Sequence, residues 1–440
     1  MERKKMKQNM FNKFKQNISD SLNIFTNNIK KIKNHILKIS FFIFINKYLK
    51  IGLKHFNKYS MFYILGLMVL VFSTVSIGNG LTFFSPNQFV NLLRNNSYIF
   101  IIGLPMLLVI VSGNIDLSVG RLLGFSSAIA LTLFNNVTGG NIFLTIILTL
   151  LLGAGVGIIQ GVMIGYYRIP AFIITLGGML IFQGLELVLT NGQPLIVDFD
   201  TSFVQFSQAP FPDFNLGTTQ NPFWIISFLI LLVIGSLLVA YSFQRRFKAK
   251  KYNLEVENLF VFLIKQLFVI GLFFVLAILT AMSRIGLQLF MLYILILIIL
   301  FVILTKYTKF GRSIYAIGGN RKAAELSGIN AKFTTFAIFV IMGIITSFAG
   351  IIFAGNFQAA QPNGTAGFEL NVISSIFIGG ASVAGGIGTV IGSIMGALII
   401  ATINLGLVVN QVEAAFINII TGIVLAAAVT YDIFSKRKIG

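Results

Sequence analysis

Long apolar runs separated by short polar breaks follow one another from residue 60 almost to the end of the chain. Most of these runs are close to the ~20 residues with which an α-helix crosses a bilayer. The pattern predicts an all-α, polytopic membrane bundle of about ten to twelve transmembrane helices, some of them broken or re-entrant. The predicted spans are 60–80, 96–113, 117–135, 142–166, 171–190, 222–243, 259–281, 285–306, 333–356, 370–385, 388–408 and 411–431.

Composition and charge support this interpretation and orient the bundle. With 56% hydrophobic and 10% charged residues, the 440-residue chain is too apolar for a soluble globular protein. An even number of spans places the basic clusters at 245–251, 306–332 and 436–438 on one side, which the positive-inside rule assigns to the cytoplasm. We therefore expect a multi-pass cell-membrane protein with both termini in the cytoplasm. The net charge of +20 suits anionic lipid, and no nucleic-acid partner is expected.

The span at 370–385 is the least certain, because it is short and rich in glycine. It is either a crossing or a re-entrant half-helix. We expect a crossing, since removing this span alone would move the basic cluster at 436–438 to the outside.

Three parts of the chain are expected: a basic cytoplasmic segment at 1–59, a transmembrane domain at 60–433 and a basic cytoplasmic tail at 434–440. Within the first part, residues 36–53 form either an interfacial amphipathic helix or a piece of a disordered tail. The acidic, proline-containing external loop at 191–221 is either a surface for a partner or a spacer.

Residues with catalytic or metal-binding chemistry are scarce. The chain has no cysteine, and its two histidines, His35 and His55, lie in the N-terminal segment away from any acidic cluster. No Gly-Lys pair occurs, so the chain lacks a phosphate-binding P-loop. We therefore expect a transport subunit without its own ATPase site, with no catalytic residue, metal or cofactor.

Glycine recurs at every fourth position in two predicted spans, and this spacing places small residues on one helix face. Backbones can approach each other closely along such a face, so the repeats predict helix-packing seams. The repeats are Gly153, Gly157, Gly161 and Gly165 in one span, and Gly388, Gly392 and Gly396 in the other.

Three polar breaks in the apolar pattern provide candidate residues for a substrate pathway or gate. Ionisable groups inside a membrane are costly and usually functional. The same groups could instead cap helices or lie at the headgroups, and the residues alone do not decide between these roles. The candidates are Asn114, Asp116 and Ser118 in the first break, Thr175, Gln183 and Glu186 in the second, and Glu369, Asn371 and Ser374 in the third.

The long polar, basic interruption in the second half of the chain covers residues 310–332. It predicts a short helix, Arg321–Leu326, that is opened by Gly318-Gly319-Asn320 and closed by Gly328. Such a helix is either a rigid handle on which another protein acts or a solvated connector.

Four stretches, in this order, resemble the permease subunits of bacterial ABC sugar importers of the ribose/xylose type. The likeness covers most of residues 61–433, and the extra pair of spans near 259–306 is most similar to the xylose-type branch. The matching stretches are NIDLSVG at Asn114–Gly120, RIPAFIITLGGMLIFQGL at Arg168–Leu185, FGRSIYAIGGNRKAAELSGIN at Phe310–Asn330 and FELNVISSIFIGGASVAGGIGTVIGSIMGALI at Phe368–Ile399.

The resemblance implies a dimeric pore that passes a monosaccharide inward by alternating access. Its implied partners are a cytoplasmic ABC ATPase, an extracytoplasmic sugar-binding protein, a second copy of the chain and membrane lipid. The loop at 307–332 is similar to the segment that docks on the ATPase, and the first break resembles a family signature for which we expect a gating or pore role. The candidate coupling residues are Gly311, Arg312, Ala323, Ala324, Glu325 and Gly328.

The chain departs from the family pattern at two positions. Asn371 stands where an aspartate is common, which weakens a charged substrate contact there, and Arg121 stands where a small residue is usual. Three other functions remain open: a nucleoside permease of a related branch, a stand-alone carrier or channel, and a membrane scaffold. Scrambling residues 309–332 separates an ATPase-coupled permease from a stand-alone carrier, because only the coupled permease then loses transport completely.

Overall fold

The computed structural model describes residues 61–437, so the amphipathic helix or tail expected at 1–59 lies outside the described residues. The described chain is mainly helical, with one short two-stranded sheet. The helices are α1 Met61–Gly78, α2 Pro86–Asn95, α3 Ser97–Val111, α4 Val119–Thr132, α5 Ile142–Gly161, α6 Ala171–Thr190, α7 Ser202–Gln208, α8 Ile225–Lys251, α9 Leu259–Ala281, α10 Leu289–Tyr307, α11 Lys309–Gly319, α12 Arg321–Leu326, α13 Ala331–Phe357, α14 Phe368–Ile378, α15 Val390–Val409 and α16 Ala414–Arg437.

Eight helices in the described part of the chain are long and apolar enough to cross a membrane, and a ninth span is added if the bent pair α2–α3 counts as one. The eight are α1, α5 with its π-helical extension Val162–Tyr166, α6, α8, α9, α10, α13 and α15. The polytopic helical bundle is therefore confirmed. Of the remaining predicted spans, 117–135 coincides with α4 and a π-helical turn, and 411–431 coincides with α16. The span 370–385 overlaps α14 only in part.

Helix α14 is shorter than the predicted span at 370–385. Its 11 residues rise only about 16 Å, too little to cross a bilayer as a helix. The helix ends at Gly379, and the next residue, Gly380, takes a positive φ of 85° that residues other than glycine rarely adopt. Only the first part of the predicted span at 370–385 is therefore helical, because the glycine pair ends the helix early.

The segment that begins with α14 nevertheless runs beside the full length of α3. At its start, the Phe368 ring stacks on Tyr98 with 4.2 Å between ring centroids. At its end, the Gly386 amide donates a hydrogen bond of 2.8 Å to the carbonyl of Val111, the last residue of α3. The non-helical residues 379–389 thus continue the path that the short helix begins.

Both glycine repeats are packing seams, as predicted. On α5, a Cβ atom at Gly157 would lie 2.5 Å from the Phe339 carbonyl oxygen of α13, and one at Gly165 would lie 2.7 Å from that of Lys332. On α15, a Cβ at Gly392 would meet the Gly379 backbone at the end of α14. Helix backbones touch at these points because no side chain separates them.

The loop predicted at 191–221 is folded, and its role as a partner surface or a spacer stays a prediction. Strand β1, Leu195–Ile196, pairs antiparallel with β2, Ala359–Ala360, and α7 follows with Phe203 fully buried. The Asp213 carboxylate accepts hydrogen bonds of 2.7 Å from the amides of Ile226 and Ser227, so it caps the start of α8. These contacts hold the loop against the bundle.

The bundle has two distinguishable ends. Helix α13 runs from α12 to β2, so α11 and α12 lie at one end, called here the α11–α12 end, and the β1–β2 pair lies at the opposite end. The Tyr241 and Tyr307 hydroxyls, 3.2 Å apart, join α8 to the last residue of α10, and α8 continues for ten more residues beyond Tyr241. The basic residues at 245–251 therefore lie at the α11–α12 end, together with those of 306–332.

Candidate functional site

Helices α11 and α12 form a small unit whose ends are defined by local hydrogen bonds. The Thr308 hydroxyl accepts from the Gly311 amide at 3.0 Å and so begins α11. The Asn320 side chain accepts from the Ala323 amide at 3.0 Å and begins α12. Gly328 follows with a positive φ of 85°. The predicted helix Arg321–Leu326, with its start and stop signals, is confirmed.

The candidate coupling residues divide into buried and exposed positions. Ala324 is buried against Ile317 and Ala331, and it therefore fixes α12 to α11 and α13. A Cβ at Gly311 would meet the last turn of α10, so this glycine allows the sharp turn between α10 and α11. The remaining candidates are accessible to a partner. These are Arg312, Ala323 and Gly328, which are exposed, and Glu325, which is half-buried.

Leu326 is the residue of this unit that the sequence interpretation missed. It is the last residue of α12, and 90% of its surface is exposed, more than for any other exposed large hydrophobic side chain in the described chain. A protein that docks on the end of α12 would bury this side chain and gain the free energy of removing it from water. Its exposure could not be predicted from the sequence, because a single leucine between Glu325 and Ser327 shows no hydrophobic periodicity.

Glu325 links α12 to the connection between α5 and α6. One carboxylate oxygen, Oε1, lies 3.3 Å from Arg321 Nε and 3.7 Å from Arg168 Nη2. Arg168 has a left-handed backbone with a φ of 59°, which is uncommon outside glycine. Both ion pairs are partly exposed, so they orient α12 more than they stabilise the fold.

The base of α11 rests on the end of α3 and on the loop between α14 and α15. The Tyr315 hydroxyl donates a hydrogen bond of 2.9 Å to the Gly388 carbonyl, and burial raises the pKa of this tyrosine, which keeps the donor proton in place. A Cβ at Gly318 would lie 2.5 Å from the Gly386 amide and nearer still to the Val111 carbonyl. The unit is thus in direct backbone contact with the membrane-embedded bundle.

Asp116 lies in the break between α3 and α4 and is fully buried. Its Oδ1 accepts hydrogen bonds from the Ser118 amide at 2.8 Å and the Ser118 hydroxyl at 2.6 Å, while Oδ2 has no hydrogen-bond partner among the described residues. The side chain of Ser118 makes no capping bond to α4. Asp116 therefore shapes the turn before α4, and neither residue caps the helix in the way that one alternative required.

Two further side chains join Asp116 from neighbouring helices. The Gln160 amide of α5 donates a hydrogen bond of 3.0 Å to the Ser118 hydroxyl. Thr175 of α6 lies 3.5 Å from the Ile115 carbonyl and donates to its own helix at Ala171. The break thus forms a buried polar cluster across α4, α5 and α6. Gln160 was missed because it lies within an uninterrupted apolar run.

Glu186 and Glu369 meet on one face of α4. Both carboxylates are buried, and each has an Oε2 atom without a hydrogen-bond partner in the described chain. A Cβ at Gly124 would lie 2.6 Å from Glu186 Oε1, and a Cβ at Gly120 would touch the Glu369 carboxylate. The second and third breaks therefore converge on α4.

Arg121 lies beside these two acids on α4 and is half-buried. Its Nη1 donates to Asn363 Oδ1 at 2.9 Å, and Gln183 Nε2 donates to the same oxygen at 3.1 Å. Arg121, where the chain departs from the family pattern, thus connects α4 to the segment before α14. Gln183 connects α6 to the same residue, Asn363.

The remaining candidates lie apart from these clusters. Asn114 donates a hydrogen bond of 3.0 Å to the Ser112 hydroxyl and is half-buried. Asn371 donates one of 2.9 Å to the Tyr98 hydroxyl on α3. Ser374 is fully buried, and its hydroxyl has no partner among the described residues. The structure therefore separates the pathway candidates into several sites rather than one.

Comparison with known proteins decides the family. The branched-chain amino acid transport system / permease component family matches residues 88–429. The chain belongs to this family. The xylose transport system permease proteins of Haemophilus influenzae and Escherichia coli K12 are 34% and 31% identical to it, covering 86% and 88% of this chain and 97% and 95% of their own. The ribose import permease of Escherichia coli K12 is 29% identical, covering 83% of this chain and 90% of its own. No solved structure matches.

Proposed function

We propose that this chain is the membrane permease subunit of an ATP-binding cassette importer that moves a monosaccharide, xylose or ribose in type, into the cell. The observation that carries this is the similarity to xylose and ribose permeases over nearly the whole of both chains. The chain lacks a P-loop, so a partner ATPase supplies the energy. An extracytoplasmic binding protein delivers the sugar, and a second copy of the chain completes the pore.

The α11–α12 end of the bundle is the cytoplasmic end in this proposal. Basic residues at 245–251 and 306–332 gather there, as the positive-inside rule requires. The unit formed by α11 and α12 then faces the ATPase. Its exposed residues Arg312, Leu326 and Gly328 are the contact positions, while buried Ala324 keeps the unit rigid.

Transport follows from movement of this rigid unit. Closure of the ATPase dimer on ATP draws the two α11–α12 units together. Each unit acts on the bundle through the Tyr315–Gly388 hydrogen bond and through the contact of Gly318 with Val111. Asp116 follows shortly after Val111 in the chain, so the first polar break is the gate nearest to the moving unit. Different contacts of the unit in the two states supply the coupling free energy.

Isolation of the native complex tests this function. The tagged chain is extracted from its own membranes in a gentle detergent, and the proteins that accompany it are identified by mass spectrometry. We expect an ATPase with a P-loop and a sugar-binding protein. The complex is then reconstituted in liposomes, and ATP-dependent uptake of xylose, ribose and uridine is measured. Uptake that needs no ATPase refutes the importer, and uptake of uridine alone refutes the sugar.

A further inference from the structure

A cavity of about 580 Å³ opens between α3, α14, α15 and α16, at the end of the bundle opposite α11 and α12. Its volume lies in the range of pockets that hold small organic ligands, and a monosaccharide fits within it. Nothing in the apolar pattern of the chain predicts it. The polar side chains that line it include Asn96, Tyr98, Asn371, Asn404, Asn418 and Thr421.

The lining contains no charged side chain, which restricts the chemistry of an occupant. A zwitterionic amino acid would bring an ammonium and a carboxylate group, and burying either without an ionic partner is costly. Side-chain amides instead offer donors and acceptors together, as the hydroxyl groups of a sugar do. The cavity therefore suits a neutral polyhydroxy solute.

The amides are held in place by hydrogen bonds to other residues that line the cavity. Asn404 Nδ2 donates to Asn96 Oδ1 at 3.0 Å, and Asn371 Nδ2 donates to the Tyr98 hydroxyl at 2.9 Å. The Asn371 Oδ1 atom is buried without a partner in the described chain. This oxygen has no accessible surface, so a ligand would contact Asn371 through other atoms of its side chain.

Aromatic rings complete the site. The Tyr98 ring stacks on Phe368 at 4.2 Å, with an interplanar angle of 13°, and both residues line the cavity beside Phe357. Aromatic surface with a few fixed polar groups is the usual composition of a small-molecule site. It also packs against the C–H face of a sugar ring while the amides bind its hydroxyl groups.

We propose that this asparagine-lined cavity is a binding site for the neutral monosaccharide on its way from the outer end of the bundle. The inference rests on the proposed function, and it assigns to Asn371, Asn404 and Asn418 a direct contact with the sugar. The aspartate that the family often carries at position 371 would introduce a charge, so the asparagine is what makes this lining neutral.

Cysteine protection tests the site, because the native chain has no cysteine and an introduced thiol is the only one in the permease. Asn418→Cys and Thr421→Cys are made on α16, where Asn418 is exposed and neither change disturbs a packed core. The control is Gln220→Cys, which is exposed on the loop before α8 and lies outside the cavity lining. The reconstituted complex is labelled with a charged methanethiosulfonate reagent, with and without D-xylose, D-ribose, L-leucine or uridine.

We expect the transported sugar to slow labelling of the Asn418→Cys and Thr421→Cys variants roughly tenfold, at a concentration about ten times its dissociation constant. Labelling of the Gln220→Cys control should not change, and L-leucine should protect none of the three variants. Unchanged labelling of both α16 variants in a complex that transports the sugar overturns the inference and leaves the proposed function standing. A complex that transports no monosaccharide overturns both.

Discussion

Replacing Leu326 by alanine should weaken docking of the ATPase without weakening the fold. The side chain is 90% exposed at the end of α12, so its truncation removes almost no packing within the chain. If the partner buries this side chain, losing about three carbon groups costs about 2.4 kcal/mol at ~0.8 kcal/mol per buried methylene. That corresponds to a roughly 50-fold lower affinity at each docking site.

The assay is a titration of purified ATPase onto the permease in lipid nanodiscs, followed by biolayer interferometry. Leu254→Ala is the matched control. It removes the same atoms from a leucine that is 62% exposed at the same end of the bundle, between α8 and α9. The control should bind as the wild type does. A Leu326→Ala permease whose affinity stays within about twofold of the wild type refutes the buried contact, because the lost area is too large to go unnoticed.

Two further substitutions test the packing seam and the first polar break. Gly157→Leu should lower the melting temperature in detergent, because its Cβ would lie 2.5 Å from the Phe339 carbonyl oxygen. Overpacking of this kind typically costs about 1–3 kcal/mol. The control Gly155→Leu should leave the melting temperature unchanged, because no atom lies within 4 Å of a Cβ at that position. Asp116→Asn keeps the acceptor for Ser118 but removes the charge, so we expect normal expression with roughly tenfold slower sugar uptake. Uptake at the wild-type rate would show that Asp116 only shapes the turn.

The long spans could be predicted from the sequence because hydrophobicity is a local property. The predicted span 259–281 coincides with α9, and 171–190 coincides with α6. Helix ends in these cases follow from polar flanks and turn residues. The packing seam on α5 could also be predicted, because a four-residue glycine repeat defines a helix face without knowledge of the neighbouring helix.

The sites could be predicted only in part, because their geometry depends on which helices become neighbours. Asp116 was recognisable as a polar residue in an apolar context, but Gln160, which completes its cluster, looked like an ordinary helix residue. The cavity shows the same limit. Asn404 and Asn418 lie on separate helices, α15 and α16, and only the fold brings them to Asn371. The sequence shows the asparagines only at separate positions, and it does not show that the fold brings them to one cavity.

Under the proposed function, the contact between α11 and α3 is the route by which we expect the ATPase to act on the polar break around Asp116. At Gly318 and Gly386 the backbones approach so closely that any side chain would force them apart, so a displacement of α11 is not absorbed by flexible side chains. The Val111 carbonyl at this contact ends α3, and the polar break around Asp116 begins immediately after it. A shift of the α11–α12 unit must therefore move the end of α3 or break the Gly386–Val111 hydrogen bond. We expect movement of the end of α3 to change the turn that Asp116 holds through its hydrogen bonds with Ser118.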